Sequence, residues 1–191
     1  MNWNELPPYF CDPVTGVYPT NEDELSALLA VFHLKGLVAW DKVNLILPTK
    51  DNSGLNASSV LSGHGILVCQ YPLFASKAQK LDMDRWGLMR ADLVYISTVD
   101  GSIAIIENKI GSRFTSGGND VEHGQVGRLL DYLCKASLPK RHFILLTSRE
   151  LIENGGYSSV LNDSLQYKDR SCSVGGYLMC WEEVFKATSV G

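Results

Sequence analysis

No apolar run in the sequence approaches the ~18 residues of a membrane-spanning helix. The start, Met1-Asn2-Trp3-Asn4-Glu5, lacks the basic residues and apolar stretch of a signal peptide. Neither a membrane span nor a cleaved leader is expected. The five cysteines (Cys11, Cys69, Cys134, Cys172, Cys180) form no C-x-x-C pair. An odd, scattered set argues against a zinc site or a disulfide framework, and for buried thiols in a reducing, cytoplasmic setting. Repeats of 20–50 residues and low-complexity tracts are missing too. Positive charge is missing from residues 1–34, which hold five acids (Glu5, Asp12, Glu22, Asp23, Glu24) and no Lys or Arg. The rest of the chain keeps all 17 basic groups and 16 of the 21 acids. The net charge of −4 disfavours a highly basic nucleic-acid coat and leaves room for a local basic groove.

What remains is a globular composition. Of 191 residues, 45% are apolar and 20% charged, which excludes disorder and suits one domain with a sizeable core. Residues 1–19, rich in Pro, Tyr and Gly, read as an ordered arm. A helix opens at Thr20-Asn21-Glu22-Asp23, where Thr20 with Asp23 or Asn21 with Glu24 gives a capping pattern. Leu25, Leu28, Leu29 and Phe32 make its apolar face, and Lys35-Gly36 ends it. Leu37 to Trp40 and Val43 to Leu47 have strand character; 49–64 reads as a loop; Gly65 to Phe74 reads as a strand broken near Pro72. Residues 75–89 suit a short helix or an excursion.

The clearest pattern follows. Ala91 to Ser97 is a strand, Val99-Asp100-Gly101-Ser102 a turn, and Ser102 to Ile110 a second strand, apolar until Glu107-Asn108-Lys109: a hairpin. Residues 111–120 read as a flexible loop. Val121 to Ala136 is a helix burying Val126, Leu129, Leu130 and Leu133, and Pro139 stops it. His142 to Thr147 is a buried strand. After a loop-rich stretch, Gly176 to Cys180 reads as an edge strand and Trp181 to Ala187 as a last short helix. The order α, β, β, β, α, β with an irregular tail indicates an α/β fold with a mixed sheet.

Residues two apart on a strand share a face, so Glu107 and Lys109 point the same way, and the hairpin brings Asp92 near them. Charges closing an apolar strand are poor packing material. Two carboxylates and an ammonium suit metal-assisted phosphodiester hydrolysis. The carboxylates hold a hard divalent ion, magnesium by preference, which acidifies a bound water and offsets phosphate charge. The lysine orients that water or holds a phosphate oxygen.

Asp92, fourteen intervening residues, then Glu107-Asn108-Lys109 in a strand–turn–strand followed by a helix resembles the PD-(D/E)XK nuclease superfamily. The run Ile105-Ile106-Glu107-Asn108-Lys109-Ile110 looks like the I-E-N-K-I strand of its small bacterial and phage-type members. Gln125, on the following helix, matches the family's glutamine, and Glu22 matches the acid often supplied by its first helix. The matches span residues 22–147. Ala91 stands where the family usually has Pro, and Leu129 where RecB-like members have Tyr, so recognition of a free end is not inferred. Tyr132 comes seven residues after Gln125, and Gln125, Arg128 and Tyr132 still share a helical face.

The resemblance implies a restriction-endonuclease-like core (α-β-β-β-α-β) over about 20–148, with 149–191 packing on it. It implies a nuclease using Mg²⁺, with Mn²⁺ as substitute, and a nucleic-acid partner, DNA above all. A homodimer is one way for such a nuclease to cut both strands. Asp92 and Glu107 would bind metal with the Asn108 backbone carbonyl and Glu22, Lys109 would act on the attacking water, and Gln125 would support Lys109 or a phosphate.

Each residue has a plainer reading. The trio suits a cross-strand salt bridge at a sheet edge. Glu22 lies about 70° from the centre of its helix's buried face and Glu24 about 90° on the other side, so Glu22 suits either a metal or a solvated helix start. Gln125, Arg128 and Tyr132 suit a helix boundary as well as a phosphate. Arg113 and His123 suit a bland loop better than a phosphate track. The rival functions are a catalytically silent nuclease-fold module that binds nucleic acid or protein, and an exported nuclease toxin or effector.

Overall fold

The computed structural model describes residues 6–49, 54–62, 64–73, 90–110, 124–166 and 174–189. The expected excursion at 75–89, the loop at 111–120, Arg113, His123 and the first turn of the second helix lie outside them.

Helix α1, Glu22–Leu34, starts as the sequence suggests. Asn21 Oδ1 accepts from Glu24 N at 2.9 Å, while the Glu24 carboxylate reaches back to Thr20 N at 2.7 Å, so the cap is Asn21. Three acids in its first turn suit the helix dipole. Gly36, at φ +66°, lets the chain leave the helix.

Seven strands among the described residues form one mixed sheet: β1 Asn44–Ile46, β2 Gly54–Asn56, β3 Gly65–Pro72, β4 Arg90–Ser97, β5 Ser102–Lys109, β6 Lys140–Thr147 and β7 Gly175–Cys180. Their order across the sheet is β2-β1-β7-β6-β5-β4-β3. The meander β3-β4-β5 is antiparallel, and β6 and β7 then run parallel to β5. The β4–β5 turn is closed by Ser97 Oγ, which accepts from Val99 N and Asp100 N at 3.2 Å each, and by Gly101 at φ +65°. Strand β5 is buried along all eight residues, which is why its sequence is apolar on both faces until its charged end.

Helices cover both faces. On one, α1 and α5 (Trp181–Ala187) pack with Phe10 against Leu93, Tyr95, Ala104, Ile106 and Ile144. On the other, α2 (Gln125–Lys135) and α4 (Gly156–Leu165) pack against Val94, Ile103, Ile105, Phe143 and Leu145.

The α/β mixed sheet is therefore as expected, and four details differ. The segment from Leu37 to Trp40 makes an isolated bridge, Val38 to Thr188, and a single 3₁₀ turn, because the chain is pinned between α1 and α5. The stretch 49–64 contains β2 and a second 3₁₀ turn at Ala57–Ser59. The tail is not irregular: α3 (Arg149–Glu153) and α4 follow β6. Strand β7 is not an edge, since it pairs with β6 on one side and β1 on the other. Its apolar side chains are buried on both faces accordingly.

The cysteine expectation also needs correction. Cys11, Cys69 and Cys180 are free, but Cys134 is disulfide-bonded to a partner outside the described residues. The cysteines thus no longer argue for a reducing setting. Among the described residues, no helix is long and apolar enough to cross a membrane.

Candidate active site

The charged end of β5 lies inside the sheet, between β6 and β4. The β4–β5 ladder runs from Ile96 with Ile103 to Leu93 with Ile106. One step further, Asp92 falls beside Glu107. Asp92 Oδ2 accepts the Asn108 amide at 2.7 Å, taking a bond the ladder no longer supplies.

Glu107 is fully buried. Its Oε1 takes two donors, Lys109 Nζ at 2.7 Å and Gln125 Nε2. Its Oε2 is buried with no hydrogen-bond partner among the described residues. Gln125 is the first residue of α2, so the helix start delivers its amide to the strand end. Lys109 Nζ also lies 3.9 Å from Glu22 Oε2, and Glu22 Oε1 accepts the Ile110 amide at 2.6 Å. Glu22 thus faces the cluster rather than standing as a solvated helix start. The structure brings together Glu22, Asp92, Glu107, Lys109 and Gln125.

Their electrostatics share one cause. Three carboxylates surround one ammonium in a dry place. Burial raises the Glu107 carboxyl first, Asp92 adds to it, and the attraction of Lys109 only partly offsets them, leaving it at about 8. Burial raises Asp92 as well, against the Asn108 amide and Lys109. Burial pulls Lys109 down, but Glu107, Asp92 and Glu22 together outweigh it and hold the ammonium above its ordinary value.

Asn108 turns the other way, as alternation requires. Its Nδ2 donates to the Glu22 carbonyl and to Ser26 Oγ, each at 3.1 Å, and its Oδ1 accepts from Trp181 Nε1 at 2.8 Å. Thr147 Oγ1, from the end of β6, donates to the Lys109 carbonyl at 2.7 Å.

Sequence reasoning missed these supports, and it missed Tyr157. Tyr157 is buried on α4, on the face toward which Glu107 projects. Burial raises its phenol, Lys109 pulls it back and Glu22 raises it further, so its hydroxyl is within electrostatic reach of both. Of these, only Ser26, beside the buried Leu25 on α1, carried a signal: a polar residue on an apolar helix face. Tyr132 goes elsewhere. Seven residues, about 10 Å, along α2 from Gln125, it packs at the second core and its phenol is raised by burial and by Tyr71. Arg128 is half-buried between them.

Among the described residues no group of three or more His, Cys, Asp and Glu is placed to hold a metal ion by itself. A hard ion here would rest on Asp92 and the open oxygen of Glu107 and keep several waters, as magnesium does. The orphaned Oε2 and the surplus of carboxylate fit such an ion. Comparison with family models, with curated proteins and with solved structures gives no match.

Proposed function

We infer that the protein is a divalent-metal-dependent nuclease acting on DNA, with a restriction-endonuclease-like core. The observation that carries this reading is Glu107 Oε2, a fully buried carboxylate oxygen without a hydrogen-bond partner among the described residues, at a cluster of three acids and one lysine. Three carboxylates share one ammonium there, carboxylate charge beyond what that lysine offsets costs several kcal/mol to bury, and a cation on that oxygen removes the cost. The order α1, β3-β4-β5, α2, β6 supports the reading, as does the resemblance of Asp92 and Glu107-Asn108-Lys109 to the nuclease pattern.

When bound, the ion supplies an acidified water and neutralises phosphate charge. Asp92 and Glu107, with the Asn108 carbonyl by the resemblance, hold it, and Glu22 adds negative charge from α1. Lys109 is held by Glu107 on one side and by its own strand's bond to Thr147 on the other, so its ammonium meets the incoming phosphate in a fixed place. Gln125 fixes the Glu107 carboxylate plane and leaves Oε2 open.

One observation favours a second reading. Glu107 Oε1 already has both Lys109 and Gln125, a self-sufficient arrangement that also suits a catalytically silent binding module.

The test is a cleavage panel of plasmid, linear DNA, single-stranded DNA and RNA with Mg²⁺ or Mn²⁺ against EDTA, on wild type, Lys109→Ala and Glu107→Ala. Wild type cleaves with metal only. Folded Lys109→Ala loses about a hundredfold, the range for one well-placed electrostatic group, and Glu107→Ala loses metal binding as well. Near-normal turnover by Lys109→Ala sinks the mechanism, and absence of cleavage by wild type leaves the module.

A further inference from the structure

At the margin of the site one residue leaves the ordinary backbone regions. Gln70 is the only non-glycine with positive φ, +51°, among the described residues, a conformation costly for residues with a β-carbon. Strand β3 keeps one register with β4 on both sides of it: Cys69 pairs with Leu93 and Tyr71 with Ala91. Gln70 therefore falls opposite Asp92, and this pair is missing from the ladder.

Both strands change face across that gap. Leu67, Cys69 and Leu93 pack on the α1 side; Tyr71, Leu73 and Ala91 pack on the side of α2 and α4. Regular alternation would keep residues 69 and 71 on one face, and 91 and 93 likewise. The left-handed residue gives β3 this half-turn, and β4 makes the matching one at Asp92. Gln70's own side chain is carried to α1, where Nε2 donates to Asp23 Oδ1 at 2.8 Å. In a regular antiparallel pair the two side chains would stand side by side, with β-carbons ~4.5–5.5 Å apart.

The consequence for Asp92 is specific. A strand N–H lies along its sheet. The carboxylate that accepts the Asn108 amide therefore lies level with the sheet at the end of β5, not upright over one face.

We propose that Gln70 is a positioning residue for Asp92: its left-handed backbone turns the β3–β4 pair so that the Asp92 carboxylate reaches the Asn108 amide, and its side chain is moved clear onto α1. The consequence for metal binding rests on the nuclease reading; the geometry does not.

The test compares Gln70→Gly with Gln70→Val in the full chain. Glycine takes positive φ freely, and a β-branched residue resists it. The readout is the Asn108 backbone amide by NMR, against the Ile105 amide of the same strand. In Gln70→Val the Asn108 resonance moves upfield and its exchange accelerates at least tenfold relative to Ile105; in Gln70→Gly both stay as in wild type, although the Asp23 bond is gone. If Gln70→Val does not fold, Gln70→Ala decides, with a shift in the same direction and smaller. An Asn108 amide that is the same in Gly, Val and Ala variants overturns the proposal. Mg²⁺ titration is the second arm: affinity falls at least tenfold in Gln70→Val (or Gln70→Ala) and holds in Gln70→Gly. Equal affinities in a metal-binding wild type and all variants also overturn it. A wild type that binds no Mg²⁺ removes the nuclease reading instead, and the Asn108 amide still decides the role of Gln70.

Discussion

The indole of Trp181 donates to the side-chain oxygen of Asn108 at 2.8 Å, across 73 residues of sequence. The nitrogen of the same amide holds the Glu22 carbonyl and Ser26 on α1. A single side chain between Glu107 and Lys109 thus clamps the first and last described helices onto β5. Asn108→Ala takes the acceptor from the buried Trp181 indole, which costs about 1–3 kcal/mol, and removes two hydrogen bonds to α1, worth about 0.5–1.5 kcal/mol each. Urea denaturation should show a loss of about 2–5 kcal/mol with an unchanged slope. A loss below about 0.5 kcal/mol contradicts the clamp.

The raised Glu107 carboxyl makes the metal-free protein less stable as pH rises. Below its ordinary 4.5, both folded and unfolded chains hold the proton. Between 4.5 and about 8 the unfolded chain releases it while the folded one keeps it, so unfolding gains ground with pH and the effect levels off above 8. The melting temperature in EDTA should fall across that window, and Glu107→Gln should flatten the fall. Mg²⁺ should raise the melting temperature more at pH 8 than at pH 6, because it needs the ionised carboxylate. An EDTA profile identical in wild type and Glu107→Gln refutes this.

Lys109 and Gln125 share one acceptor, Glu107 Oε1. Gln125→Ala removes one hydrogen bond worth ~1 kcal/mol, so cleavage should fall about fivefold. Combined with Lys109→Ala, the loss should be smaller than the product of the two, because neighbours on one atom do not act independently. Single-turnover rates on the three variants check this, and a strictly multiplicative result separates the two residues.

Binding to DNA, followed as log affinity against log salt, should steepen with each phosphate contact. Arg128→Ala and Arg113→Ala should each reduce the slope by about one if they touch phosphate. Tyr132→Phe should leave the slope unchanged, because Tyr132 is placed in the packing of the second core. A reduced slope in Tyr132→Phe would return that residue to the interface.

Much of this architecture was legible where a short period met a strong contrast. Glu107 and Lys109 announce themselves because alternation puts both on one face of a strand that is otherwise apolar. Gln125 comes from the resemblance to the nuclease pattern, on a helix expected to open at Val121. Other features were hidden for physical reasons. Helix α4 is written in Gly, Ser, Asn and Asp, poor helix formers, and is held by Tyr157 and Leu161 at i, i+4 against the sheet. Strand β7 begins with two glycines and is short, so it resembled an edge, although its neighbours β1 and β6 bury it. Thr147 and Trp181 find their partners only in three dimensions. Gln70 gives no sign beyond the nearby Pro72, because glutamine is not a residue type that marks a left-handed backbone.

The position of β7 has a consequence for the making of the protein. Until residues 175–180 take their slot, β6 is the border of the sheet, and it offers Phe143-Ile144-Leu145-Leu146 with one row of amides and carbonyls unpaired. An open apolar border is a template for other chains. The early-made strands β1 and β2 cannot shield it, since β1 reaches the main sheet only through β7. A chain interrupted before residue 175 therefore carries a sticky flank, and β7 is the strand that makes the sheet safe in the company of its own copies.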